Sequence, residues 1–380
     1  MRCVFALLVL AGALAAADEV EKNDVDAKHV MVYYEPGRFG GWPANHGIWA
    51  WGNEVLVGFS RGYYKDLGPE RHHIDREKPE EHLLARSLDG GETWTIEDPA
   101  AKGYLIPQGK SLHGTELPGV AIPEMTACPG GIDFSDPDFA MTLRMTDVDT
   151  GPSRFYYSYD RGHTWTGPFR FPDLGTPGIA ARTDYLVDGP RACTAFLTAA
   201  KENRQEGRPL CARTQDGGKT WTFVTWIGPE PKGYAIMPAS VRLSATDILV
   251  AVRCREKDRS WLAGYISRDN GGSWGELDKP IADVGEGNPP SLIQLRDGRI
   301  CLTYGCRNKP FRICARLSTD GGRTWGKEIV LRDDGASRDI GYVRSVQRPD
   351  GKVLTVYYFH DAQTGPERYI AATIWSPGPN

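Results

Sequence analysis

The chain has 380 residues, 44 of them Gly, 27 Pro, 11 Trp and 16 Tyr, with apolar residues at 40% and a formal net charge of −4. This balance suits a soluble fold of many short strands and turns, and it offers no basic surface for a nucleic acid. After the first seventeen residues no run is apolar for the about 20 residues that a membrane span needs, so no span is expected.

Residues 1–17 stand apart: Arg2 is followed by an apolar run from Val4 to Leu14 and by Ala15-Ala16-Ala17 before Asp18. That is the pattern of a secretory signal peptide, which places the mature protein in the periplasm or outside the cell. Residues 18–29 are charged and aperiodic and read as a flexible lead-in, leaving one domain over residues 30–377. The mature chain keeps seven cysteines (Cys128, Cys193, Cys211, Cys254, Cys301, Cys306 and Cys314), so at least one thiol stays unpaired even in an oxidising compartment. Cys301 and Cys314 flank a loop on strand-like runs and are candidates to face each other; the alternative is that the cysteines are small buried apolar side chains. Without a CxxC pair no zinc site is expected, and nothing in the pattern calls for another metal or a cofactor.

Met31 to Tyr34 is the first strand candidate. Gly47 to Trp51 and Val55 to Phe59 follow around a Gly52-Asn53 turn, and a polar insert, Arg61 to Glu81, leads to His82 to Arg86. Next comes Ser87-Leu88-Asp89-Gly90-Gly91-Glu92-Thr93-Trp94. Four more segments share its Ser/Thr-x-Asp-x-Gly-x-Ser/Thr-Trp form, beginning at Ser158, Thr214, Ser267 and Ser318, with steps of 71, 56, 53 and 51 residues between openings. Each copy has turn chemistry: the Asp can accept backbone N–H groups, the Gly can take positive φ, and the Trp starts a strand and buries its ring. Short strand runs precede every copy, such as Ile248 to Val252 and Leu262 to Ile266, or Ile300 to Tyr304 and Ile313 to Arg316. A sixth unit, Tyr342 to Trp375, has no motif and lacks a fourth strand, which Met31 to Tyr34 is expected to supply. Six units of four strands predict an all-β chain folded as a six-bladed β-propeller with antiparallel blades.

The five motifs are Asp boxes, and with the six-unit count the chain resembles the bacterial sialidase (neuraminidase) superfamily over about residues 31–377. The resemblance implies that Asp89, Asp160, Asp216, Asp269 and Asp320 are turn residues on the face away from the active site. It also implies an axial site where arginines hold a sugar carboxylate, a tyrosine paired with a glutamate attacks the anomeric carbon, and an aspartic acid protonates the leaving group. By repeat register Arg253 and Arg307 match two of the family's three arginines, with Arg61 and Arg144 at the corresponding points of units one and two. Arg253 has an alternative partner in Glu256. The family's Arg-Ile-Pro triplet is replaced by Pro43-Ala44-Asn45-His46-Gly47, so Arg38 stands in for the third arginine.

Tyr342, in Gly341-Tyr342-Val343-Arg344-Ser345, matches the nucleophile; the alternative is a core tyrosine at a strand start. The glutamate has no counterpart in Met237-Pro238-Ala239-Ser240, and Glu286 is the nearest substitute. Asp66, with Asp75 behind it, is the candidate acid on an insert that also holds Arg71, His72, His73 and Arg76 and reads as a loop over the pocket. His46 suits acid or base work near neutral pH, or is a hydrogen-bonded histidine of the core. His360 shares the ring level of Arg253 and Arg307, or forms a surface pair with Asp361. The implied protein is a secreted, monomeric, retaining exo-glycosidase acting on sialic acid or a related acidic sugar at glycan ends. Two alternatives stay open: a polysaccharide hydrolase or lyase using His46, and, because the glutamate is missing, a non-catalytic carbohydrate-binding propeller.

Overall fold

Each Asp box closes a turn with its own side chains. In the computed structural model, which describes residues 25–111 and 114–379, Ser87 Oγ donates to Asp89 Oδ1 at 2.8 Å and accepts the Gly91 N–H at 2.7 Å, while Thr93 Oγ1 donates to Asp89 Oδ2 at 2.6 Å. The hydroxyl of the fourth residue after Asp makes the same bond to Asp160, Asp216, Asp269 and Asp320 at 2.6–2.7 Å. The hydroxyl and N–H of Ser273 hold Asp269 down to about 2, and those of Thr324 do the same for Asp320. A glycine of the box also fixes the spacing between blades. Gly322 sits at φ +85, and a Cβ there would lie 2.6 Å from Leu249 Cδ2 of the preceding blade; Gly91 meets Leu354 and Gly162 meets Leu56 in the same way.

The strands assemble into six antiparallel sheets in ring order. Blades four and five have four strands each: Tyr234–Arg242, Ile248–Glu256, Arg259–Ser267 and Gly275–Ile281, then Ser291–Gln294, Ile300–Cys306, Phe311–Ser318 and Ile329–Gly335. Blade six pairs Gly341–Gln347, Val353–Phe359 and Tyr369–Trp375 with the N-terminal strand Ala27–Tyr33, in a register that sets Ala27 opposite Trp375. The chain start thus completes the last blade, as expected, and the strand begins at Ala27, inside the expected lead-in. Blade two contributes three strands, Ala140–Met145, Ser153–Ser158 and Thr166–Phe171.

Blades one and three have divided inner strands. In blade one Arg38–Gly41 and Ile48–Trp51 both pair with Glu54–Tyr63, and the interruption is filled by Trp42 at φ +61 and the short helix Pro43–His46. In blade three Ile179–Ala180 and Tyr185–Gly189 both pair with Ala192–Ala200. Apolar side chains from facing sheets, such as Phe59, Val57, Tyr358 and Val356 between blades one and six, fill the space between blades.

All seven cysteines of the described chain are free and buried. Cys301 lies opposite Leu317 and Cys314 opposite Tyr304; because side chains alternate along a strand, the two thiols lie on opposite faces of the sheet and join different core clusters. The expected facing pair is therefore replaced by packing. Among the described residues no helix is long and apolar enough to cross a membrane, and no group of three or more His, Cys, Asp or Glu could hold a metal ion. The leader expected at residues 1–17 lies outside the described residues.

Candidate active site

A cavity of about 540 Å³ lies between the inner strands of blades three to six and the insert of blade one. Seven arginines line it (Arg71, Arg76, Arg182, Arg253, Arg255, Arg307 and Arg338) against three acids, Glu70, Glu206 and Glu286. Glu206 accepts from Arg182 Nη1 at 2.6 Å and Glu286 pairs with Arg338 Nε at 2.9 Å, so the field left for a ligand is positive and suits an anion.

Tyr342 lies in this cavity at the start of blade six's inner strand. Its backbone takes φ +52, an unusual conformation for a bulky residue, and two neighbours enforce it. Asn288, fully buried, accepts the Tyr342 N–H on Oδ1 at 2.9 Å and donates from Nδ2 to the Ile340 carbonyl at 3.0 Å. Gly341 leaves the room: a Cβ there would come within 2.2 Å of Asn288 Oδ1. The Tyr342 hydroxyl accepts from Arg253 Nη1 at 3.1 Å, and the Arg253 and Arg307 guanidinium carbons both lie 5.9 Å from its ring centroid. Arg253 Nη2 donates to Tyr234 at 3.1 Å, while its Nε is buried without a hydrogen-bond partner.

Arg307 is held from behind, donating to the Ile340 carbonyl and to the Tyr358 hydroxyl, the latter at 2.8 Å. The Tyr358 hydroxyl donates a hydrogen bond to Asp339 Oδ1 at 2.7 Å, and the same oxygen meets His72 Nδ1 at 2.5 Å. Asp339 Oδ2 accepts from the His73 N–H at 3.2 Å and from Arg368 Nε at 3.1 Å. Burial works against the charge on Asp339, but His72, Arg368 and Arg307 hold its carboxyl well below the usual range. Burial lowers the pKa of the His72 imidazole, with Asp339 pulling the other way. The floor is tied by Arg344, whose Nη2 donates to the carbonyls of Ala44 and Thr183 at 2.7 and 2.6 Å. Its Nη1 reaches Asp184 at 3.4 Å, a carboxyl that burial pushes up to about 6.

Of the residues singled out from sequence, the structure brings Tyr342, Arg253, Arg307 and Glu286 to the cavity. Arg71, His72 and Arg76 of the insert line it too, as expected of a loop over the pocket, whereas Arg38, Arg61, His46, Asp66, Asp75 and His360 do not. Arg61 is held on both oxygens of Glu81 at 2.7 Å, and Arg38 binds the same carboxylate. His46 is buried with Nε2 on Ser60 Oγ at 2.9 Å, its ring edge-on to His82. Asp66 is 73% exposed, bonded to the Gly68 N–H and beside His73. Asp75 pairs with Lys65, and His360 rests on Ser337. The position where a glutamate was missing carries Met237 at φ +54, its Sδ 4.0 Å from Arg253 Nη1, and the same strand gives the cavity Tyr234 and Ile236. Arg182, Glu206 and Asp339 went unnoticed in the sequence. None has a motif: Arg182 enters from the strand break of blade three, Glu206 from the start of the strand Glu206–Thr214 in the same blade, and Asp339 from the connection into blade six.

Residues 140–355 match the family profile described as BNR repeat-like domain, more than half of the chain. The chain belongs to this BNR family. Nothing among curated proteins matches the sequence significantly. Among solved structures, this BNR protein is similar to a Dyadobacter fermentans protein of unknown function, with a TM-score of 0.67 and 20% identity over 92% of this chain and 99% of the other. It is also similar to the NanB sialidase of Streptococcus pneumoniae, in its K499G mutant, at 0.57 and 12% identity over 91% of this chain and 68% of that one. A third is the Penicillium chrysogenum alpha-L-arabinanase complexed with arabinobiose, at 0.54 and 13% identity over 91% and 97%. At these identities the likeness is one of fold, and any chemistry has to be argued from the cavity itself.

Proposed function

We propose that this protein is a secreted, retaining glycoside hydrolase that removes an acidic sugar from glycan ends, with Tyr342 as nucleophile. The observation that carries the proposal is the Tyr342 hydroxyl in hydrogen bond with Arg253 at 3.1 Å, inside a cavity where arginines outnumber acids seven to three. A planar guanidinium binds a carboxylate with two parallel hydrogen bonds, so Arg253 and Arg307 suit the sugar's acid group. The same positive field stabilises a tyrosine oxyanion as it attacks the anomeric carbon. Sialidases and an arabinanase among the similar structures support carbohydrate as the substrate class. The test is hydrolysis of a fluorogenic sialoside and of fluorogenic uronides: the wild type should turn over at least one of them and Tyr342→Phe should remove that turnover by about a thousandfold or more. A wild type inert towards the whole set of acidic glycosides refutes the reading.

A second reading, eliminative cleavage of a uronide, is favoured by one observation: among the described residues no carboxylate is hydrogen-bonded to the Tyr342 hydroxyl, while the His72 ring lies 6.3 Å from the Tyr342 ring. It moves the base from His46, which is outside the cavity, to His72. Elimination leaves an unsaturated sugar, so a rise in ultraviolet absorbance without uptake of water selects it over hydrolysis. Export is part of the proposal: residues 1–17 act as a cleaved leader, and N-terminal sequencing of the exported protein should begin after Ala17.

A further inference from the structure

A glycosidic oxygen leaves as an alcohol only if something protonates it, and neither Asp66 nor a carboxylate at Met237 is in the cavity to do so. Glu206 and Glu286 are each engaged by an arginine at hydrogen-bond distance, and Glu70, the third acid of the lining, is 77% exposed with its carboxylate 3.8 Å from Arg338 Nε. His72 is the remaining acid or base beside Tyr342, edge-on to its ring at an interplanar angle of 83°. We infer that His72 is the site's proton donor and acceptor, and that Asp339 is its positioning residue. This inference rests on the hydrolase reading above.

Three features of the fold support it. The insert that carries His72 is clamped: Tyr64 bridges Ile74, Lys65 N–H donates to the His73 carbonyl at 3.2 Å, and Ile74 is buried in the core between blades one and six. The connection into blade six fastens it from the other side, because Arg338 Nε donates to the Pro69 carbonyl at 3.0 Å and Asp339 Oδ2 accepts the His73 N–H. The His72 ring is itself oriented. Asp339 holds Nδ1, Trp42 packs edge-on at 5.4 Å, and Nε2 is the nitrogen left for a ligand in the cavity that His72 lines. An imidazole held at one nitrogen by a buried carboxylate has a fixed tautomer and can carry a proton at the other.

The cycle balances with these two groups. The Tyr342 oxyanion forms a bond to the anomeric carbon as the C–O bond to the leaving sugar breaks, and imidazolium Nε2–H gives its proton to the departing oxygen. Neutral His72 then takes a proton from water, the resulting hydroxide adds to the anomeric carbon, and Tyr342 departs as the oxyanion.

The experiment compares His72→Ala and His72→Asn with wild type on two glycosides of the same acidic sugar, one with a 4-methylumbelliferyl leaving group and one with a sugar. The asparagine amide retains a donor for Asp339, so this variant reports if the alanine variant is misfolded. Expected are a loss in kcat/KM of about 10²–10⁴-fold on the sugar-linked substrate, little loss on the activated one, and partial recovery with added imidazole. Equal losses on both substrates in a variant that unfolds like wild type overturn the role of His72 and leave Tyr342 untouched. A wild type inert on both overturns this inference together with the reading beneath it.

Discussion

Glu80 closes the insert and is 2% exposed. Burial raises its carboxyl from the ordinary 4.5 to about 7, opposed by a hydrogen bond from Ser60 and by Arg76, whose Nη1 lies 3.7 Å away. A carboxyl whose folded pKa is raised favours the fold while protonated. The stability it contributes is fully present below pH 4.5 and is lost as pH rises through about 7. The difference corresponds to about 3 kcal/mol. Glu80→Gln has no proton to lose, so its stability relative to wild type should climb by about 3 kcal/mol between those pH limits. Spread over the unfolding entropy of about 350 ordered residues, that is about 4 °C in Tm. Urea and thermal unfolding of both proteins at the two ends of the range measure it. A stability difference that stays constant with pH to within about 0.5 kcal/mol refutes the assignment.

Asn288→Ala orphans the Tyr342 N–H, while the Ile340 carbonyl keeps its bonds from Arg307, and should cost about 2 kcal/mol in urea unfolding. It also releases the φ +52 conformation of Tyr342, so on any glycoside that wild type turns over, kcat should fall more than KM rises. Gly322→Ala drives a Cβ to 2.6 Å from Leu249 Cδ2 at a backbone φ of +85, and a loss of about 2–3 kcal/mol is expected from the shift in urea midpoint.

The fold was legible because its signal is local and repeated. Ser, Asp, Gly and Trp within eight residues make a turn wherever they occur, and five copies set a period that puts Arg253, Arg307 and Tyr342 in register. What register could not supply is what the repeats do not share. His72 and Asp339 are 267 positions apart and meet only because an insert of blade one folds onto the connection into blade six. Arg38 and Arg61 sit near the right level in sequence, yet Glu81, opposite Arg61 on the next strand of the same blade, captures both. The lack of an acid at Pro238 is visible in sequence, but its consequence, a tyrosine and a thioether around Arg253, required the bulge between Ile236 and Ala239.

The ring is closed by pairing the first and the last strands of the described chain. Ala27–Tyr33 has its ladder partner in Tyr369–Trp375, so throughout synthesis its N–H and C=O groups wait as an open edge while five blades form behind it. A chain terminated between Phe359 and Tyr369 would carry that edge permanently, beside a last sheet missing two of its strands. Such products should associate through strand exchange with other copies instead of persisting as smaller soluble propellers.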